Sequence, residues 1–92
     1  MNRLAIRRVA VLGAGVMGAQ IAAHFANVGC HVALFDLAAP QGPASGIAAR
    51  AIEGLRKLKP APLVLQERAA CIEPLNYTEH LHRLADCDLV IE

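Results

Sequence analysis

The feature that most constrains this chain is the stretch VAVLGAGVMG at residues 9–18. It joins a short apolar run directly to three glycines, Gly13, Gly15 and Gly18, in the spacing G-x-G-x-x-G. The glycine spacing alone is a weak signal, and so is an apolar run of four residues. Their order is informative, because a buried strand that enters a glycine turn and then opens a helix is typical of the phosphate-binding element of dinucleotide folds.

The composition predicts one small domain with an aliphatic core. Hydrophobic residues make up 55% of the 92 residues and charged residues 18%, which is too apolar for a disordered chain. Aromatic residues contribute only 3%. A core of Ala, Val, Leu and Ile favours alanine-rich helices packed on β-branched strands, and therefore an α/β fold, over an all-β one.

Charge and cysteine usage narrow the functional classes. The net charge is +1 without a basic block, so the sequence predicts no nucleic-acid partner. No apolar segment reaches the roughly 20 residues that a membrane span needs. Cys30, Cys71 and Cys87 are an odd set without a C-x-x-C pair, so we expect free thiols and a cytoplasmic location.

The order of predicted elements indicates a parallel sheet. The first half predicts a strand at Val9–Leu12, a helix at Val16–Val28, a second strand at His31–Asp36, a Pro- and Gly-rich loop at 37–46, and a helix from an N-cap at Ser45 to about Lys59. The first helix carries a narrow polar stripe of Gln20, His24 and Asn27 on an otherwise apolar surface.

The second half is less regular. Leu63–Ala70 is compatible with a helical turn or a loop, and Cys71–Glu73 with a very short strand before Pro74. Asn76–Glu79 has the outline of a capping box that opens a short helix, with Leu81 and Leu84 as its apolar positions. Asp88–Glu92 is predicted as a fourth strand. Strands that alternate with helices predict a Rossmann-type, doubly wound α/β sheet in the order 3-2-1-4. We therefore interpret residues 1–92 as the N-terminal part of such a domain, ending after the fourth strand.

Each glycine of the loop has a distinct expected role. Gly13 permits the tight turn, Gly15 lets the backbone approach a pyrophosphate, and Gly18 lets the helix pack close to the strand. Ala14, Val16 and Met17 complete the loop, and the helix presents backbone N–H groups and its positive dipole end to the phosphates. The alternative is a glycine-rich turn that binds no ligand.

Asp36 indicates which dinucleotide is bound. It ends the second strand, 18 residues after Gly18, where a carboxylate can accept hydrogen bonds from the ribose hydroxyls. The same charge would repel a 2′-phosphate. Leu37 follows at a position where an NADP enzyme often has a basic residue. The sequence therefore predicts NAD as the cofactor.

Other polar residues are weaker candidates. His24 is interpreted as a solvated residue on the polar stripe. His80 and His82 form an H-x-H pair, but on a helix they would point apart and no ligand cluster accompanies them, so no metal site is predicted. The basic group Arg56, Lys57 and Lys59 is explained by the end of a helix, with contact to a substrate phosphate as the minor alternative.

Four segments together resemble a known family, and they cover nearly the whole chain. VAVLGAGVMGAQIAAHFANVG, HVALFDL, IEGLRKL and CDLVIE resemble the N-terminal region of the L-3-hydroxyacyl-CoA dehydrogenases of bacteria and mitochondria. The stretch PQGPASGIAARAIEGL is most similar to the large bacterial members that are fused to an enoyl-CoA hydratase module.

The resemblance implies NAD-dependent oxidation of a 3-hydroxyacyl-CoA to the ketone, a step of fatty-acid β-oxidation, with acyl-CoA as substrate and a homodimer at full length. It assigns Gly13, Gly15, Met17 and Gly18 to the pyrophosphate, Asp36 to the ribose, and Glu92 to the nicotinamide end of the site. The catalytic His-Glu pair of the family follows the fourth strand, so no catalytic residue is expected in these 92 residues.

The chain also departs from the family pattern after Asp36. Many members begin a Lys-bearing, CoA-contacting helix there, whereas this chain has its Pro- and Gly-rich loop, and Arg50 is a candidate substitute. The open edge of the fourth strand predicts pairing with a second copy of the chain.

Two alternative functions stay open at this point. The first is another NAD-dependent dehydrogenase of the same fold, such as a 3-hydroxyacid or nucleotide-sugar dehydrogenase. The second is a non-catalytic nucleotide-binding module.

Overall fold

The chain forms a four-stranded parallel sheet in the predicted order, β3-β2-β1-β4. A computed structural model describes residues 6–55, 57 and 66–92. The strands and helices are β1 Arg8–Leu12, α1 Val16–Asn27, β2 His31–Asp36, α2 Gly46–Leu55, β3 Ile72–Asn76, α3 Tyr77–His80 and β4 Leu89–Ile91, with 3₁₀ helices at Gln66–Cys71 and Leu81–Asp86. The Rossmann-type α/β class is thereby confirmed.

The two central strands are buried on both faces, as their continuous apolar runs predict. Strand β1 pairs with β2 over its whole length and with β4 from Val9 to Val11. One face packs against α1 and α2, mainly through small alanines of α1; its fully buried members include Val9, Ala22, Ala26 and Leu34. The opposite face carries a smaller cluster of Ala10, Ala33, Phe35 and Leu75, which α3 and the following 3₁₀ helix partly cover.

The first helix ends one residue earlier than predicted, because Val28 is its C-cap. Gly29 follows with a φ of 95°, in the left-handed region that favours glycine. Gln20 and His24 are exposed as the polar stripe predicts. Helix α2 begins directly after Ser45, whose carbonyl accepts the Ala49 N–H at 2.9 Å. Its predicted end near Lys59 lies outside the described residues.

The third strand is longer than the predicted Cys71–Glu73. It spans Ile72–Asn76 and continues through Pro74, which lies opposite Leu34 of β2. Proline cannot donate to a strand ladder, but β3 is an edge strand, where one missing N–H is tolerated. The prediction that Pro74 ends the strand was therefore wrong.

The predicted N-cap at the start of α3 is confirmed, but the Glu79 side chain bonds the Asn76 side chain rather than its backbone N–H, as a standard capping box would. The Oδ1 of Asn76 accepts the Glu79 N–H at 2.8 Å, and its Nδ2 donates to Glu79 Oε1 at 3.0 Å. Nδ2 also donates to Ser45 Oγ at 3.0 Å, and the Asn76 N–H donates to His80 Nδ1 at 3.1 Å. Asn76 is fully buried, so this one side chain fixes the start of α3 relative to that of α2.

The chain after α3 differs from the single short helix that we predicted. A 3₁₀ helix takes over at Leu81, which is 53% exposed, whereas Leu84 packs against the second face of the sheet. The tighter winding of a 3₁₀ helix, with three residues per turn, rotates Leu81 away from the core. Of the two predicted apolar positions, Leu84 therefore faces the sheet and Leu81 does not.

The fourth strand is shorter than the predicted Asp88–Glu92 and spans Leu89–Ile91. Asp88 is not a strand residue, because its side chain binds the backbone at the start of β1. Its carboxylate accepts the N–H groups of Arg7 and Arg8 at 2.9 and 3.0 Å. These backbone hydrogen bonds lower the pKa of Asp88. Strand β4 lies at the sheet edge, where Val90 is 44% exposed. The expected pairing of two chains through this edge stays a prediction.

Within the described residues, no helix is long and apolar enough to cross a membrane.

Candidate functional site

The turn that leaves β1 has the geometry that the glycine spacing predicts. Gly13 adopts a φ of 107°, and its N–H donates to the carbonyl of Phe35 at 2.9 Å. A Cβ on Gly18 would collide with the Gly13 carbonyl oxygen and would lie 3.6 Å from Val11 Cγ1. Helix α1 therefore packs directly onto the turn, and only glycine at position 18 permits that approach.

The N-terminus of α1 is open where a pyrophosphate would lie. Gly15 is the N-cap residue, no side chain caps the helix, and its first turn contains no acidic residue. A Cβ added to Gly15 would meet nothing within 4 Å. The first N–H groups of an α-helix have no partner within the helix, and the positive end of the dipole favours an anion there. The loop thus fits the diphosphate of a dinucleotide in both shape and charge.

Asp36 connects the end of β2 to the glycine loop. Its Oδ2 accepts the Ala14 N–H at 2.7 Å, and its Oδ1 accepts the Leu37 N–H at 2.7 Å. An ionised carboxylate has about four acceptor positions, so two such bonds leave capacity for ribose hydroxyls. The hydrogen bond from Ala14 to Asp36 could not be predicted from the sequence, because only the parallel pairing of β1 and β2 brings these two residues together.

Three apolar side chains border the loop and are open to solvent. Val16 and Met17, on the first turn of α1, are each 76% exposed, and Leu37 is 65% exposed. Met17 is the residue on which the family resemblance depends most within the loop. No basic side chain stands at position 37, in agreement with the predicted preference for NAD.

Glu92 belongs to the same edge of the sheet. Strand β4 pairs with β1 in parallel, with Ile91 opposite Val11, so Glu92 follows at the carboxyl end of the sheet. Because carboxyl ends of parallel strands meet at one edge, Asp36 and Glu92 lie on either side of β1.

Tyr77 is a residue of this edge that the sequence analysis missed. Its ring stacks on that of Phe35, with centroids 5.7 Å apart and planes inclined by 20°. Burial, together with the charges of Asp36 and Glu92, raises the pKa of the Tyr77 hydroxyl. A single aromatic residue placed directly after a strand was the available signal, but we interpreted it only as the first residue of a short helix.

None of the weaker candidates forms a hydrogen bond with Asp36 or the glycine loop in the part of the chain that the structure describes. His24 lies in the last turn of α1 and makes an edge-to-face contact with Phe25 at 5.9 Å. Arg50 is exposed on α2, where its Nε donates to the Gly46 carbonyl at 3.4 Å. His80 accepts a backbone hydrogen bond while His82 is exposed, and no three potential metal ligands converge in the part of the chain that the structure describes.

Taken together, the strand–turn–helix unit, the acid at the end of β2 and the sheet order define a dinucleotide-binding domain of the Rossmann type. Comparison with known families makes this assignment specific. The profile described as "3-hydroxyacyl-CoA dehydrogenase, NAD binding domain" matches residues 8–92, so the chain belongs to this family and its cofactor is NAD.

Curated relatives carry consistent names. The chain is 43% identical over 88 residues to a probable 3-hydroxyacyl-CoA dehydrogenase of Deinococcus radiodurans, a match that covers 95% of this chain and 25% of the relative. It is 41% identical over 88 residues to a putative fatty acid oxidation complex trifunctional enzyme of Rickettsia felis, covering 95% of this chain and 12% of that protein. The chain thus spans a quarter or less of the length of these relatives.

Solved structures agree on the fold. The crystal structure of 3-hydroxybutyryl-CoA dehydrogenase from Escherichia coli K12 superposes with a TM-score of 0.66 at 32% identity, over 94% of this chain and 18% of that one. A diketoreductase superposes equally well, with a TM-score of 0.66, but at 24% identity over 92% of this chain and 30% of that one it supports only the fold.

Proposed function

We propose that this chain serves as the NAD-binding part of an enzyme that oxidises 3-hydroxyacyl-CoA to 3-ketoacyl-CoA, a step of fatty-acid β-oxidation. The family match over residues 8–92 is the observation that carries the proposal. The names of the relatives support it, and the glycine loop with Asp36 supplies a site that fits the cofactor. Bound NAD would accept the hydride from the 3-hydroxyl carbon.

The residues of the chain hold and orient the cofactor rather than perform proton transfer. The backbone at Gly13, Gly15 and Gly18 forms the cradle for the pyrophosphate, with Ala14, Val16 and Met17 completing the loop around it. Asp36 binds the adenosine ribose and Leu37 lies beside it. The resemblance places Glu92 near the nicotinamide end. We assign no catalytic residue to this chain, since the resemblance locates the proton-transferring His-Glu pair after the fourth strand.

The remaining features of the whole protein are also proposals. An acyl-CoA substrate and a homodimer follow from the family resemblance. Fusion to an enoyl-CoA hydratase module is supported by the trifunctional name of the Rickettsia relative. A cytoplasmic location is supported by the three free cysteines, Cys30, Cys71 and Cys87.

The activity is tested on the natural protein that contains this domain. We expect oxidation of NADH at 340 nm with acetoacetyl-CoA as the acceptor, and much slower oxidation of NADPH. The control substrate is free acetoacetate, which lacks CoA. Faster turnover of free keto acids or of nucleotide sugars than of acetoacetyl-CoA would favour the alternative dehydrogenases, and NAD binding without any turnover would favour a nucleotide-binding module.

A further inference from the structure

Tyr77 lies next to the ribose-binding position in the register of the sheet. Asn76 is the residue of β3 that pairs with Asp36 of β2, and Tyr77 follows it directly. Its backbone is therefore on the Asp36 side of β1, away from β4. The side chain reaches over the second face of the sheet, where it joins the cluster that contains Phe35 and Leu75.

The ring is held in place from two sides. Phe35 is fully buried and stacks on it with a centroid separation of 5.7 Å. The preceding residue, Asn76, is fixed by its hydrogen bonds to Ser45, Glu79 and His80. A half-buried ring with a fixed backbone and a stacking partner loses little further freedom when a ligand binds, which is how aromatic residues become effective contacts.

The Tyr77 hydroxyl keeps its proton. Burial, and to a smaller extent the charges of Asp36 and Glu92, raises the pKa of Tyr77, so the group is a neutral donor at physiological pH. Within residues 6–55, 57 and 66–92 the structure shows no hydrogen bond from this hydroxyl, and the ring that carries it is half-buried. The hydroxyl is thus a donor that a ligand at the carboxyl edge of the sheet can use.

We propose that Tyr77 is a further cofactor-binding residue, which contacts the adenosine half of NAD beside Asp36. The proposal rests on the proposed function, because it requires that a dinucleotide occupies this edge. Two observations favour the adenosine half: β3 borders β2 and not β4, and Tyr77 directly follows the pairing partner of Asp36.

The chain offers a direct probe, because Tyr77 is its single tyrosine and it contains no tryptophan. The ultraviolet emission of the 92-residue chain therefore reports on Tyr77 alone. We expect saturable quenching on titration with NAD, ADP-ribose or AMP, and no saturable change with nicotinamide mononucleotide. N-acetyltyrosinamide titrated in parallel corrects for light absorbed by the nucleotides.

Variants test the contact by calorimetry. Tyr77→Leu removes both ring and hydroxyl and is expected to weaken AMP and NAD binding about tenfold, within the range measured for base–aromatic contacts. Tyr77→Phe keeps the stack on Phe35 and is expected to weaken binding about threefold, the equivalent of one neutral hydrogen bond. Phe25→Leu, an aromatic loss in the last turn of α1, is the matched control and leaves AMP affinity unchanged.

The outcomes distinguish a failure of the Tyr77 proposal from a failure of the proposed function. If the unmodified chain binds AMP or NAD in the calorimeter while its tyrosine emission is unchanged and both Tyr77 variants bind like wild type, the role of Tyr77 is wrong and the proposed function stands. Quenching by nicotinamide mononucleotide but not by AMP would equally overturn the assignment to the adenosine half. If neither the 92-residue chain nor the natural protein that contains it binds either nucleotide, the proposed function itself fails, and the role of Tyr77 with it.

Discussion

Replacing Gly18 with alanine is expected to destabilise the fold by about 3 kcal/mol, the upper part of the range for overpacking, and to abolish measurable NAD binding. The added Cβ would collide with the Gly13 carbonyl oxygen. That atom belongs to the backbone of the turn, so no side-chain rotation relieves the clash, and α1 must move away from β1. The loop that we propose as the cradle for the pyrophosphate would then lose its shape. Urea unfolding followed by circular dichroism measures the first effect, and calorimetry with NAD the second.

Gly54→Ala is the matched control. Gly54 is also helical, near the end of α2, but a Cβ there would meet nothing within 4 Å. Alanine is the better helix former, so this variant should be more stable by about 0.5–1 kcal/mol. Equal stability of the two variants would show that the close approach of α1 to the turn is not what position 18 requires.

The second large effect is expected for Asp36→Asn. The neutral amide can no longer offer ionised acceptors to the ribose hydroxyls, and the lost hydrogen bonds should weaken NAD binding by about 2–4 kcal/mol, roughly 30- to 1,000-fold. Removal of the negative charge also removes its repulsion of a 2′-phosphate. The preference for NAD over NADP should therefore narrow. Both dissociation constants are measured in the same buffer and at the same ionic strength, since charge effects depend on salt.

Asp88→Asn is the control that separates the contribution of Asp36 to NAD binding from its contribution to the stability of the fold. Asp36 and Asp88 each accept two backbone N–H groups, from Ala14 and Leu37 and from Arg7 and Arg8 respectively. They lie at opposite ends of the sheet. Both substitutions should reduce stability, but only Asp36→Asn should reduce NAD affinity. A comparable loss of affinity in both variants would mean that Asp36 acts only by holding the glycine loop in place.

The parts of the fold that are governed by local patterns could be predicted from the sequence. The unit Val9–Gly18 combines a strand, a turn and a helix whose signals are adjacent, and Asp36 closes a second strand of clear apolar character. The N-cap at Asn76, with Glu79 as its partner, was likewise visible as a spacing. Local backbone chemistry determines all three, so one stretch of sequence is enough to predict each of them.

The errors arose where tertiary position overrides local preference. Pro74 is compatible with a strand only because β3 is an edge strand, and the sequence does not state which strands are at the edge. Leu81 is exposed because a 3₁₀ helix follows α3. The stack of Tyr77 on Phe35 and the bond from Ala14 to Asp36 join residues far apart in the chain, and only the sheet register brings them together.

The central claim is that the edge formed by the glycine loop and Asp36 selects NAD. It is tested most directly by calorimetric titration of the 92-residue chain with NAD and with NADP under identical conditions. The structure predicts saturable binding of NAD and clearly weaker binding of NADP. Tighter binding of NADP, or the absence of any NAD binding by a chain that circular dichroism shows to be folded, would contradict it.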